Sequence, residues 1–188
     1  GSSTVGSLST TDQTTLGVKV TSPSVSPLKP SSLTLGVNSF DFSNLNVDFA
    51  ASTNPTVPVI DLGAGSVTLN GEVDVSLAGL TALTTSTNTI KLLKYGSITG
   101  AGSFYLLTNS FGRSTFALNK TATALYLNVT ALANVWKGTA NNTWDIGTLN
   151  WSLPGGYLEG DTVIFNDTTN VTTVDIPSTV YPSGVTFS

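Results

Sequence analysis

Apolar and polar residues alternate with a period of two along most of this chain. Leu33, Leu35 and Val37 are separated by small polar residues, as are Phe40 and Phe42, then Leu45, Val47 and Phe49. The rhythm continues through Val59 and Asp61, Val67 and Leu69, Val73, Val75 and Leu77, and Ile90 and Leu92. It resumes at Phe104 and Leu106, Phe116 and Leu118, Leu125, Leu127 and Val129, Val163 and Phe165, Val174 and Ile176, and Val185 and Phe187. Successive side chains of a strand point to opposite faces, so this period predicts short, half-buried strands. Turn formers separate the runs: Asn38-Ser39, Gly63-Ala64-Gly65, Asn70-Gly71, Gly100-Ala101-Gly102, Gly155-Gly156 and Pro182-Ser183-Gly184. No window carries a sustained helical stripe; Leu77 to Leu83 comes nearest and is too short. Many short strands at close spacing predict an all-β protein, whose architectures are the parallel β-solenoid or β-helix, the barrel and the antiparallel β-sandwich.

Composition sharpens this picture. Of 188 residues only 10% are charged, while 39% are hydrophobic, and 31 threonines with abundant Ser, Asn and Gly take the place of the missing charge. Threonine suits a pleated, half-exposed surface, and helix formers other than Leu are sparse. A mean hydropathy above zero and the regular apolar spacing argue against disorder. A net charge of −4, with seven Lys and Arg scattered singly, disfavours nucleic acid and anionic membrane surfaces. No run is long enough to span a membrane as a helix, so membrane insertion within this stretch is not expected. The chain holds no Cys and no Met. Disulfides and thiolate metal sites are thereby excluded, and a processed product or excised fragment is expected, with Gly1-Ser2 a candidate cloning remnant.

Three regions differ in texture. Residues 1–32 are hydroxyl-rich, and Pro23, Pro27 and Pro30 bar them from a central strand, which predicts an irregular lead-in. Residues 33–131 are strand-rich, and from about residue 133 the chain holds all three tryptophans. In that last segment Trp136 with Gly138, Trp144, Asn150-Trp151, Gly160-Asp161-Thr162 with Val163 and Phe165, and Pro182 before Val185 to Phe187 follow one another in fixed order. This series resembles the opening of a module in autotransporter-associated β-strand repeat proteins. The stretches Val67 to Leu77 and Ile90 to Gly100 are similar to the closing part of such a module.

The resemblance implies a parallel β-solenoid belonging to a large secreted or cell-surface bacterial protein. It divides the chain into residues 1–132, the closing part of one module, and residues 133–188, the opening of the next, cut at Phe187-Ser188. The family landmarks Trp136, Gly138, Trp144, Trp151, Gly160, Asp161 and Phe165 would then mark the junction between modules. The function implied is non-enzymatic, structural or adhesive, with neighbouring modules, copies of the same chain, glycans or extracellular matrix as partners and head-to-tail fibres as one form of assembly. Solenoid turns bury one face of each strand against the next and leave open ends, which fits the same reading.

Candidate chemistry is thin. The absence of His removes catalytic triads and histidine metal sites. Glu72 and Asp74 share one face of a strand, as a polysaccharide-cleaving acid pair would, but a solvated strand face is the favoured reading. Asp161, Asp167 and Asp175 could supply oxygens to Ca²⁺, although no loop has the spacing of a known calcium motif and turn formation explains them as well. No other cofactor is expected. Asp61-Leu62-Gly63-Ala64-Gly65 follows a strand but lacks the third Gly and the helix of a phosphate cradle. Six Asn-x-Ser/Thr triplets, at Asn119, Asn128, Asn141, Asn150, Asn166 and Asn170, indicate surface loops at most. Trp136, Trp144, Trp151 and Tyr157 form either a sugar-stacking platform, the mark of a carbohydrate-binding module, or a plug at a solenoid junction. Their spacing does not put the three tryptophans on one face of one strand, which favours the plug.

Overall fold

The computed structural model describes residues 5–24, 26–50, 55–80 and 87–188, which are all-β with no helix. The strands stack in parallel as a β-solenoid of about five turns. Gly1-Ser2 and the end of the Leu77 to Leu83 window lie outside the described residues. Two compact units are present: residues 1–79, 89–109 and 116–128 form the first, and residues 80–88, 110–115 and 129–188 the second.

The first unit is built from sheets that each take one strand per turn. One sheet holds β1 (Leu8–Thr10), β3 (Leu33–Leu35), β6 (Ser66–Leu69) and β9 (Ser97–Thr99), in that order and all parallel. A second holds β2 (Thr14–Lys19), β4 (Phe42–Asp48), β7 (Glu72–Ala78) and β10 (Ser103–Leu106), again parallel. In the third, β5 (Ile60–Asp61) and residues 89–94 of β8 (Asn88–Lys94), 124–128 of β13 (Ala124–Thr130) and 116–120 of β12 (Ser114–Lys120) lie side by side, and Leu28 bridges to Ile60 to begin the same column one turn earlier. The antiparallel β-sandwich expected as the alternative is not formed, because the strands of consecutive turns pair in parallel.

Register explains why the period-two pattern folds this way. Leu16, Leu45, Val75 and Leu106 stand directly above one another, as do Val18, Val47 and Leu77, and Leu8, Leu33, Val67 and Ile98. Leu33, Leu45, Val67 and Val75 have no exposed surface. A slip of one residue would turn every such column outward, so the apolar alternation specifies the register. The outward positions carry Thr15, Asn44, Asp74 and Tyr105 in one row and Gly17, Asn46 and Ser76 in the next. Buried hydroxyls are paired where they occur: Thr10 Oγ1 donates to Ser43 Oγ at 2.9 Å.

Several expected elements come out differently. Within the stretch expected as an irregular lead-in, β1 and β2 form edge strands, and the prolines do not interrupt them because Pro23, Pro27 and Pro30 lie after β2, Pro30 making a single bridge to Val5. Phe40 is not in a strand but at the tip of a turn, 88% exposed, where Asp41 Oδ2 accepts from the Val37 and Asn38 amides. Val174 and Ile176 form no strand either. Only Asp175 between them bridges, to Thr143, and Pro177 follows at once, so there is no continuous partner to extend a ladder.

The second unit contains β14 (Ala133–Val135), β15 (Thr162–Phe165) and β16 (Gly184–Phe187), a parallel sheet in chain order. A short hairpin arm, in which β11 (Ser110–Phe111) pairs antiparallel with Ser114 and Thr115, belongs to the same unit.

Because the Leu16–Leu45–Val75–Leu106 column is continuous, Leu45→Ala should cost about 2–5 kcal/mol of stability in urea unfolding. Leu107→Ala, at a position 59% exposed, should stay within about 0.5 kcal/mol of the parent.

Candidate functional site

The chemistry-bearing residues gather in the second unit, and the long connection from β14 to β15 brings them there. Trp136 follows β14 directly, and its amide donates to the Ile164 carbonyl at 2.8 Å, extending the β14–β15 ladder by one residue. Trp136 also bridges antiparallel to Trp151, folding residues 137–150 back as a loop. Asn150 organises that loop from within. Its Oδ1 accepts from the Ala140 and Asn141 amides at 2.9 and 3.0 Å, and its Nδ2 donates to Asn141 Oδ1 and the Thr143 carbonyl. The adjacent Asn150 carbonyl accepts from Lys137 and Gly138. Buried polar groups are tolerated when satisfied in this way.

The four aromatic residues foreseen from the sequence pack on one another. Trp136 and Trp151 meet edge to face, with ring centroids 5.1 Å apart at 80°, Trp144 and Trp151 at 5.3 Å and 67°, and Trp144 and Tyr157 at 5.4 Å and 82°. Phe165 lies within 5.5–5.7 Å of all three indoles. Exposure is 0% for Trp136 and Tyr157, 5% for Trp144 and 7% for Trp151. A sugar-stacking platform needs ring faces in solvent, and these faces are turned to each other. Edge-to-face contacts of this kind add about 0.5–1.5 kcal/mol per pair to the burial of the rings. The indole Nε1 donors of all three tryptophans have no nitrogen or oxygen acceptor.

A second buried cluster lies alongside, and Arg113, which the sequence did not single out, is its cation. Arg113 Nε donates to Asp161 Oδ2 at 3.2 Å and its Nη2 to the Gly156 carbonyl at 2.6 Å. Asn134 Nδ2 donates to the same two acceptors at 3.0 Å each, and the Leu158 amide donates to Asp161 Oδ2 at 3.1 Å. The Asp161 side chain is fully buried and that of Arg113 is 16% exposed. The arrangement pins the 110–115 arm and the 156–161 turn to β14. Gly138 and Gly160 are locked by contact: both have positive φ, and a Cβ would run into Val171 at 2.7 Å in the first case and the Phe111 ring at 2.9 Å in the second. Arg113 could have been noticed only as one charge in a chain with few, since nothing in its local pattern points at Asp161.

The remaining candidates do not converge. Asp167 is exposed, and Asp175 is held by its backbone, accepting from Trp144 and donating to the Asn142 carbonyl, each at 2.8 Å. Among the described residues no group of three or more acidic side chains is placed to hold a metal ion. Asp161 is already committed to a guanidinium. In the first unit Glu72 and Asp74 stand half-buried on the outward face of β7, in register with Phe42 and Asn44 on one side and Ser103 and Tyr105 on the other. The Asp61 to Gly65 turn is closed by its own side chain, Asp61 Oδ1 accepting from the Gly63 amide at 2.8 Å, with Lys94 Nζ 3.3 Å from the carboxylate.

Burial, and secondarily Glu159, raises the Tyr157 phenol well above its ordinary pKa, its hydroxyl donating to Glu159 Oε2 at 2.8 Å. Burial also raises Tyr95, in the first unit, whose hydroxyl donates to the Thr121 carbonyl at 2.9 Å. Such a phenol is protonated in both folded and unfolded chains below about pH 10, where its contribution to stability is complete. Above that the unfolded chain loses its proton first, so stability should fall as pH rises through and beyond 10. Tyr157→Phe should flatten this alkaline loss in unfolding curves taken from pH 8 upward.

Asp161→Ala leaves Arg113 and Asn134 facing an empty buried position and should cost about 3–5 kcal/mol in denaturant unfolding. Adding Arg113→Met should restore part of that loss, because the unpaired charge is removed with it.

No protein family, curated protein or solved structure matches this chain.

Proposed function

We propose that this chain is a non-enzymatic, structural or adhesive repeat segment of a large bacterial cell-surface or secreted protein. The observation that supports it is the use made of the chemistry-bearing residues. The rings of the three tryptophans and Tyr157 pack on one another, and the side chains of Asn134, Asn150, Asp161 and Arg113 hydrogen-bond to one another or to nearby residues inside the second unit. The first unit repeats the same apolar columns turn after turn, and such ladders make a stiff scaffold whose outer rows of Thr, Asn and Ser are free to meet other molecules. On this reading the partners are neighbouring modules, other copies of the chain, glycans or matrix, and the extracellular setting is what the family resemblance implies.

Beads coated with the chain should adhere to glycan- or matrix-coated surfaces, and the Glu72→Ala and Asp74→Ala variants should adhere equally well. Incubation with a panel of polysaccharides should release no reducing ends and no unsaturated products. Turnover that disappears in Glu72→Ala would sink the proposal in favour of an enzyme.

A further inference from the structure

The cations of this chain are scattered along its sequence, but the fold gathers four of the seven on one side of the first unit. Leu28 bridges to Ile60 and Ile60 pairs with Leu93, so the residues that follow them, Lys29, Asp61 and Lys94, stand one above another on three successive turns. Ile60 and Leu93 are buried, and the column beside them points outward. Lys91 leaves the same strand as Lys94, with Leu92 and Leu93 buried between them, and its ammonium lies over the Tyr126 ring, 5.5 Å from the centroid. Lys120 ends β12 at the turn whose Thr123 carbonyl accepts from the Tyr95 amide, next to Lys94. Between Lys29 and the Asp61–Gly63 turn lies a hollow of about 280 Å³, with Ser31 and Leu62 also in its wall. The carboxylate in this row, Asp61, is engaged by the Gly63 amide and by Lys94 Nζ. Among the described residues no carboxylate pairs with Lys29, Lys91 or Lys120. The other acids of the unit, Asp12, Asp41, Asp48, Glu72 and Asp74, lie in or beside the sheet of β2, β4, β7 and β10. A chain of net charge −4 thus carries a separate cationic side. Side faces of a solenoid point away from the stacking axis, so turns added at either end leave them open.

We propose that this side binds an anionic polysaccharide, whose carboxylate or sulfate groups pair with Lys29, Lys91, Lys94 and Lys120 while its hydroxyls enter the hollow at Ser31. The inference rests on the adhesive reading above and names its class of ligand. Charge complementarity selects an anion, since three of the four ammonium groups have no carboxylate of their own. Lys29 and Lys94 are two turns apart, about 10 Å at the usual spacing of paired strands. That is the length of one disaccharide, so a polymer charged once per disaccharide meets both ammonium groups in succession. Duplex nucleic acid is matched less well, because its binding draws on about 6–10 phosphate contacts, and this side offers four cations with a carboxylate among them.

Calorimetric titration of the full chain with three polymers tests this. Hyaluronan carries one carboxylate per disaccharide, chondroitin sulfate adds a sulfate, and dextran is neutral. Binding is expected to the first two and not to dextran; equal affinity for both assigns it to the carboxylates, and tighter chondroitin sulfate binding assigns a share to the sulfates. Raising salt should weaken either complex several-fold, because exposed ion pairs are screened. The triple variant Lys29→Gln, Lys91→Gln, Lys120→Gln should lose at least tenfold in affinity, and Lys29→Gln alone roughly threefold, each keeping the parent's circular dichroism. Lys19→Gln, on the sheet that carries Glu72 and Asp74, should bind like the parent. Binding of dextran as tight as that of hyaluronan, or folded Lys29→Gln and triple variants that bind hyaluronan like the parent, overturns the site. Tighter binding of duplex DNA or anionic lipid vesicles at equal charge concentration overturns the choice of a glycan. Adhesion to neutral glycan or matrix that ignores salt and shows no turnover rejects this site while leaving the adhesive reading standing, whereas adhesion to no surface at all fails both.

Discussion

Everything in the first unit depends on one constraint: each turn must put an apolar side chain directly above the apolar side chain of the turn before. Leu16, Leu45, Val75 and Leu106 meet it in one column and Leu8, Leu33, Val67 and Ile98 in another. In a parallel ladder the strand below has already chosen the inward face, so each added turn inherits the register and reinforces it. Polar Thr, Asn and Ser can then fill the outward rows at little cost. That is how a chain with so few charges remains both well packed and well solvated.

The second unit solves a different problem. Its sheet has only three short strands, joined by connections too long to be held by ladders alone. Aromatic area takes over, with three indoles, Tyr157 and Phe165 closing a core around β15, while Asn134 and Asn150 supply the hydrogen bonds that a strand ladder would otherwise provide. The Arg113–Asp161 pair belongs to the same solution. A buried ion pair returns little net stability compared with apolar packing, but it is strongly directional, and here it fixes one arm against one turn. The tryptophan-rich stretch is thus a packing device whose rings are withdrawn from solvent.

Period-two alternation made β4, β6, β7, β8 and β13 legible because each buries one face under a neighbour on both sides. It failed at β1 and β2, whose hydroxyl-rich strands lie at an edge where less apolar surface is needed, and at β14, where Ala133-Asn134-Val135 places an amide on the buried face. It over-read Val174 and Ile176, where the alternation is present but only Asp175 finds a partner. The clustering of Trp136, Trp144, Trp151 and Tyr157 was visible as proximity along the chain, but whether their faces met solvent was not.

The sequence by itself determined the all-β class and the inward and outward rows of the long strands. These are local matters of side-chain alternation and backbone freedom, and they can be read within a few residues. Only the tertiary structure decided that the strands return in parallel, that Arg113 travels 48 positions to reach Asp161, and that the indoles face each other. Those outcomes depend on which distant segments stack, and stacking is chosen by the summed burial of whole turns, which no short window contains.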